Sequence, residues 1–325
     1  MTDVAHPQTE ARAAWQVRPP AGLVDAGTLR GLNARSDAAG AAQTLGHAAA
    51  LALSGAAIVL APAWWLTLPA MVVHGIFLVA LFAPLHETVH RTVFRKRWPN
   101  LVLAQVAGFV LLIPPVWFRH FHLAHHRHTQ DPAHDPELAR PKPATLAGYI
   151  WHLSGLPMWW RLGLTLWSLG RGDTAGMAYL PDHARAGVVA NARWQLAGYA
   201  AIALGALAAR SWLPVTLWLG PLVLGQPFLR AYLLAERTGC ARVPDLTRNT
   251  RTTLASGLLR RLAWNMPFHA EHHLYPSVPF HRLPDLHRLV ADRVRHVTPG
   301  YPAAQREIVA SFGAAEAGVS PPRPV

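Results

Sequence analysis

Between Ala38 and His86 the chain carries no Asp, Glu, Lys or Arg. As a helix rising 1.5 Å per residue, such a stretch measures roughly 70 Å, enough to cross a ~30 Å hydrocarbon core twice. The natural break is Pro62-Ala63-Trp64-Trp65, where the paired tryptophans suit a membrane–water interface. The stretch therefore predicts two spans, 46–62 and 66–85. The whole chain supports this reading, with 51% hydrophobic and 14% charged residues in 325, against roughly 25% charged in a soluble domain. That apolar fraction excludes intrinsic disorder. Cys240 is the single cysteine, which excludes an internal disulfide framework and a cluster or zinc site built from this chain's thiolates.

Arg91 to Arg97 is strongly basic and closes the first hairpin. The next apolar run, Leu101 to Ile113, stops at Pro114-Pro115. It makes only about 20 Å of helix, too short to cross, so a re-entrant or interfacial segment is expected. Its flanks then emerge on the same membrane face. Residues 146–170 alternate tryptophan and leucine like a helix lying at the interface. A second hairpin is expected over 194–209 and 212–229, turned at Ala209-Arg210-Ser211. The predicted fold is an all-α integral membrane protein, with four transmembrane helices in two hairpins, a re-entrant or interfacial segment and a helical cap. The expected divisions are a polar N-terminal segment (1–45), a membrane domain (46–310) and a flexible C-terminal tail (311–325).

The formal charge is +13, almost all of it arginine, with Lys96 and Lys142 the only lysines. The turns between paired spans carry one basic residue, Arg210. The remaining Arg and Lys fall on the opposite side, which puts both termini in the cytoplasm by the enrichment of positive charge there. No helix-turn-helix, RNA-binding or zinc-finger pattern accompanies the charge, so nucleic acid is not an expected partner.

Nineteen histidines are the second anomaly, and eight of them form three clusters. His86-Glu87-Thr88-Val89-His90 ends the second span, and its i, i+4 spacing aligns two rings on one helical face. His122-Leu123-Ala124-His125-His126 and His269-Ala270-Glu271-His272-His273 each align three. One such pair is ordinary on a solvated helix. Three clusters, each following an apolar run and all on one expected face, point to metal binding. Eight imidazoles are too many for one ion and suit two, with nitrogen-rich ligation pointing to iron or zinc. Glu87 and Glu271, inside the clusters, are the candidates to orient the rings from a second layer.

Other histidines carry less signal. His120, His128 and His134 surround the second cluster without full helical register, and His74 inside a span reads as a buried hydrogen-bonded ring. Asn265 lies four residues before His269 and Pro267 suits a first helical turn, so the helix is expected to start near Met266 with Asn265 as its N-cap. A ligand role for Asn265, direct or through water, is the alternative.

The order HxxxH, HxxHH, HxxHH around two hairpins resembles the membrane-bound fatty acid desaturase superfamily. The segment from Phe118 to Pro132 is similar to the second box of bacterial members. Asn249-Thr250-Arg251-Thr252-Thr253 and the segment from Trp264 to Pro276 are similar to the approach to the third box and the box itself. The resemblance spans roughly residues 45–295. It implies two iron ions, cycling between ferrous and ferric, held at a catalytic centre by His86, His90, His122, His125, His126, His269, His272 and His273. It also implies O2 as co-substrate and desaturation of a fatty acyl or other lipid chain, with the metal site on the cytoplasmic face of a bacterial inner membrane. Electrons would come from a separate carrier of ferredoxin or cytochrome b5 type, since the chain carries no flavin or dinucleotide fingerprint and no fused cytochrome b5 motif. One departure stands out. Relatives tend to place an additional histidine shortly after the last span, and here Arg237 holds that place. A guanidinium cannot ligate a cation.

Three readings compete. A lipid, alkane or carotenoid hydroxylase or ketolase would use the same boxes and differ in product. His86-Glu87-Thr88-Val89-His90 is also literally HExxH, the motif of zinc proteases with Glu as general base, but that reading leaves six box histidines unexplained. A metal transporter would line a path within its spans, whereas these clusters lie beyond the apolar runs.

Overall fold

The computed structural model describes residues 15, 17–139 and 141–312. The polar N-terminal segment expected over 1–45 is thus described only in part, and the tail expected from 311 lies outside the described residues beyond Phe312. The described residues form helices joined by short turns, with one small sheet.

Asp25 caps α1 (Ala26–Leu32), its carboxylate accepting from the Thr28 N–H, and Ser36 caps α2 (Asp37–Val59) by accepting from Ala39. A side-chain acceptor at this position satisfies one of the first-turn N–H groups that have no partner inside the helix. α2 therefore starts well before the apolar stretch that marks it in the sequence. After the expected break, α3 (Trp64–Ala80) runs through Leu81 into α4 (Phe82–His90). Asp37–Val59 and Trp64–His90 are long and apolar enough to cross a membrane. α5 (Arg97–Val110) and α6 (Pro115–Arg127) meet at 101° and pass the same test only if counted as one bent span. The corner holds Leu112 in the left-handed region (φ 61°) followed by Pro114 and Pro115, whose fixed backbones end one helix and start the next.

α7 (Leu146–Leu153) and α8 (Leu156–Arg171) break at Gly155 and turn Trp151, Trp160 and Trp167 outward. α9 (Asp182–Ala208) starts upstream of the expected 194 and ends at the expected turn, where Arg210 takes φ 48°. One π-helical turn, Val215–Leu219, leads into α10 (Gly220–Ala235). α10 lies against α3 at backbone distance, with Gly75 facing Gly225. Neither α9 nor α10 meets the length-and-apolarity test that α2 and Trp64–His90 meet.

The C-terminal part builds a cap from β1 (Arg251–Thr253), α11 (Gly257–Leu262), α12 (His269–Leu274), α13 (Leu283–Val290), β2 (His296–Thr298) and α14 (Tyr301–Ala310). β1 and β2 pair in parallel, Arg251 opposite His296 and Thr253 opposite Thr298. The cap has its own apolar core, including Trp264, Met266, Phe268, Leu274, Leu283 and Leu286. Each such side chain contributes on the order of 1.5–3 kcal/mol by leaving water. Leu32 of α1 and Val93 belong to the same core, so the described part of the N-terminal segment packs on the cap. A second core, with Leu78, Leu85, Ala107, Phe118, Leu222 and Leu229, lies among the long helices. The histidine-bearing helices α4, α6 and α12 meet between the two cores.

Candidate metal centre

Three local stops place the clusters. α4 ends at Arg91, whose left-handed backbone (φ 59°) turns the chain directly after His90. α6 starts on a proline pair, so the second cluster falls in its last turns. α12 starts at His269, three residues later than the sequence suggests. Trp264 and Asn265 take left-handed backbones (φ 52° and 55°), which no helix tolerates. Asn265 is therefore not the N-cap. Its amide donates to the Phe280 carbonyl at 3.2 Å, so it fastens a cap loop, and the ligand expectation for it finds no support in its contacts.

Four Nε2 atoms converge from the three helices. His122 Nε2 lies 3.1 Å from that of His90 and 2.9 Å from that of His126, which lies 3.2 Å from that of His272. His86 completes the group, and the five offer one ring nitrogen each within 4.8 Å of all the others. A neutral imidazole has one N–H and one lone pair, so converging nitrogens cannot all satisfy one another. They are spaced for a central cation. With bonds of 2.0–2.1 Å, neighbouring ligand nitrogens stand roughly 3.0–3.4 Å apart. His86 Nε2, His122 Nδ1 and His272 Nδ1 are buried and have no hydrogen-bond partner. Burial holds His272 well below the ordinary imidazole range, with neighbouring imidazoles adding to the effect. Its ring is neutral at physiological pH, the protonation state a metal requires. These five residues fit a transition-metal ion.

The other three box histidines fit less well. His125, His269 and His273 also come together, with ring centroids 5.1 Å apart for His125 and His273 and 4.7 Å for His269 and His273. Into that group projects Arg237. Its Nη1 is 2.5 Å from His269 Nε2 and 3.3 Å from His273 Nε2. Nη2 is ion-paired with Glu137 and lies 3.4 Å from Glu236 Oε2. The eight histidines expected to share two ions thus divide into five around a common centre and a group of three in which a guanidinium faces His269 and His273.

The orienting carboxylates are not the expected ones. Glu87 is fully buried, and its Oε1 accepts from the Thr92 hydroxyl at 2.6 Å and the Phe280 N–H at 2.9 Å. Glu271 binds the Thr252 hydroxyl at 2.5 Å and His287 Nδ1 at 2.6 Å. Both tie their helices to neighbouring elements of the chain, and neither contacts a box ring through these bonds. Glu87 is therefore turned away from the general-base position that the HExxH reading requires. The acids that face box rings are Asp135, whose Oδ1 lies 2.9 Å from His125 Nδ1, and Glu236, whose Oε2 lies 3.3 Å from His269 Nε2. Asp135 sits in a turn rather than at helical spacing, so sequence periodicity gives no sign of it. Met266 Sδ, 3.0 Å from His86 Nδ1, and the Thr129 hydroxyl, 3.2 Å from His273 Nδ1, are likewise invisible to spacing.

The remaining histidines divide as chemistry suggests. His74 is buried between Ser54 Oγ (2.7 Å) and the Leu217 carbonyl (3.0 Å), the structural ring its position implies. His47 contacts the Phe77 carbonyl and receives the Trp264 indole N–H. His128 and His134 gather with Asp131 at the edge of the site.

Comparison with known proteins agrees with this arrangement. The chain is 31% identical over 112 residues to an sn-1 oleoyl-lipid 12-desaturase of Picosynechococcus sp., covering 32% of each chain. It is 32% identical over 102 residues to an sn-1 oleoyl-lipid 12-desaturase of Synechocystis sp., covering 29% of each. These alignments span about a third of the relatives' own length. The family profile described as fatty acid desaturase matches residues 10–304, nearly the whole described chain, and the chain belongs to the membrane-bound fatty acid desaturase family.

Proposed function

We propose that this protein desaturates a fatty acyl chain, drawing on O2 and on electrons from a separate carrier, at iron held by its box histidines. The carrying observation is the convergence of four imidazole Nε2 atoms from α4, α6 and α12 beside a large cavity of about 1430 Å³. Its walls include Phe82, Trp117, Phe118, Phe121 and Leu162, and it reaches His86, His122 and His269. That volume exceeds the roughly 300–1,000 Å³ of a pocket for a drug-sized ligand, as a long flexible substrate requires. Both aligned relatives are named as oleoyl-lipid desaturases, which supports a lipid-borne acyl chain as the substrate class.

Bound iron would supply an oxidant strong enough for an unactivated C–H bond, and the overall change is CH2–CH2 plus O2, two electrons and two protons to CH=CH plus two waters. The chain's own residues do the rest. The aromatic wall excludes water and holds the methylenes in fixed order, which such a reaction needs for selectivity. Arg127, Lys142 and Arg161 line the polar part of the same cavity, suited to a carboxyl or phosphate group. A basic face attracts an acidic electron carrier.

The same reading sets the chain in a membrane as four spans in two hairpins, α2 with α3 and α9 with α10. α5–α6 is then re-entrant, and both termini and the histidine-bearing cap face the cytoplasm of a bacterial inner membrane. The membrane domain is 46–310, between an N-terminal segment that leans on the cap and a C-terminal tail. Expression in a host followed by mass spectrometry of its lipids tests the activity. The expected product is lighter than its precursor by two hydrogens, requires O2 and disappears with His272→Ala. A product one oxygen heavier would replace desaturation with hydroxylation. A product that survives His272→Ala would refute the site.

A further inference from the structure

We propose that this chain holds a single metal ion, in the five-imidazole group, and that the guanidinium of Arg237 is the permanent cation of the neighbouring three-histidine pocket. The inference rests on reading the box histidines as a metal site and concerns how many ions they take. The first argument is lone-pair chemistry. A neutral imidazole has one acceptor nitrogen, and in both His269 and His273 the Nε2 atom faces Arg237 Nη1, at 2.5 and 3.3 Å. A nitrogen that accepts from a guanidinium N–H has no lone pair left for a metal. His125 Nε2 and His269 Nδ1 are the buried ring nitrogens of this group without a hydrogen-bond partner. His269 Nε2 accepts from Arg237, itself paired with Glu236, whose Oε2 lies 3.3 Å from the ring nitrogen, so its Nδ1 carries the proton. The lone pair of His125 is then the one left, and one imidazole does not hold an ion.

The second argument is charge. Arginine does not lose its proton in proteins, so a dication entering this pocket would meet a fixed positive charge at contact distance. The carboxylates of Glu137 and Glu236, which could have balanced a second ion, are already paired with Arg237. The third argument is rigidity. The Ala235 carbonyl accepts from Arg251 Nη1 at 3.0 Å, the Glu236 carbonyl from the Arg251 N–H at 2.8 Å and the Arg237 carbonyl from Gln130 Nε2 at 3.2 Å. Three consecutive carbonyls are fastened, and Arg237 itself is only 8% exposed. The backbone of Arg237 is therefore fixed, and its guanidinium is held by Glu137 and Glu236 where it borders the large cavity.

Counting metal tests the proposal without reference to lipid products. The full chain, purified in detergent, is loaded anaerobically with ferrous iron, freed of excess and analysed for iron per chain. The expected ratio is one for the wild type and two for Arg237→His, which replaces a cation with a ligand at a place already fastened on both sides. His269→Gln and His273→Gln should keep one iron, whereas His122→Gln and His272→Gln should lose it. This pattern stands even if Arg237→His fails to fold. Two irons in the wild type, none, or equal losses across all four glutamine variants would overturn the proposal. One iron with the expected variant pattern but no unsaturated lipid would leave it intact and sink the desaturase reading instead.

Discussion

Gly75→Ala probes whether the long helices hold the histidine groups in place. A Cβ at position 75 would lie 2.1 Å from the Pro221 carbonyl oxygen and 2.9 Å from its carbon, and 3.0 Å from the Gly225 nitrogen. All three are backbone atoms, which no rotamer change can move aside. Reaching ordinary contact requires α3 and α10 to separate by about 1 Å or more, and small residues at such crossings are what let helices in a membrane approach so closely. Overpacking of this kind costs on the order of 1–3 kcal/mol, and a clash with rigid backbone lies toward the upper end. The displacement is carried to the site from both sides. α3 continues through Leu81 into α4 with His86 and His90, and α10 ends one residue before Glu236 and Arg237. Nitrogens now 2.9–3.2 Å apart would spread by a comparable amount. The variant should melt at lower temperature and bind iron less tightly. Thermal unfolding in detergent with iron titration measures both. If both match the wild type, the glycine crossing does not position the metal centre.

Glu87→Gln keeps an oxygen to accept from Thr92 and the Phe280 N–H, so product formation should survive it. The loss of a general base would instead cost about 10²–10⁴-fold, and a fall of that size would revive the HExxH reading. Asp135→Asn exchanges a charged acceptor shared by His125 Nδ1 and the N–H groups of Gln130 and Glu137 for a neutral amide. Unfolding measurements should show a loss of about 1–3 kcal/mol, and an unchanged midpoint would remove Asp135 from its orienting role. The pH dependence has a definite sign. Burial, ahead of nearby positive charge, holds His269, His272 and His273 well below 6.5 in the folded protein. The unfolded chain takes up those protons near 6.5, so metal-free protein should lose stability progressively as pH falls below that value. Unfolding midpoints compared at about pH 7.5 and 5.5 check this, and a midpoint that rises on acidification would contradict it.

The extent to which the sequence foretells this molecule follows from the range of each interaction. The first two long helices are legible because an unbroken uncharged stretch is a local property, and the turns at Pro62 and Arg210 are where the residues imply. Helix starts are less so. α2 begins at Ser36 and α9 after Pro181, set by caps and prolines, whereas hydropathy marks only the apolar portion. The box spacing identifies which imidazoles share a helical face, and all eight do come together. It carries no information on how three helices cross, and the crossing decides the division into five and three. The carboxylates show the same limit. Glu87 and Glu271 look like partners because they are adjacent in sequence, yet on a helix adjacency turns side chains about 100° apart.

Arg237 joins these two lessons. Its departure from the expected histidine is visible in sequence, and a missing ligand alone would suggest a weakened site left to water. The structure suggests a different consequence, because the side chain is long and its backbone is fastened by Gln130 and Arg251, residues from distant parts of the chain. A shorter or looser cation there would leave His269 and His273 free to ligate. Because the guanidinium is held at their lone pairs, one substitution can both remove a ligand and disable two others, an effect that requires convergence in three dimensions and leaves no trace in spacing. Restoring a histidine at 237 therefore tests more than one residue: it asks whether His269 and His273 regain their lone pairs as the new ring arrives.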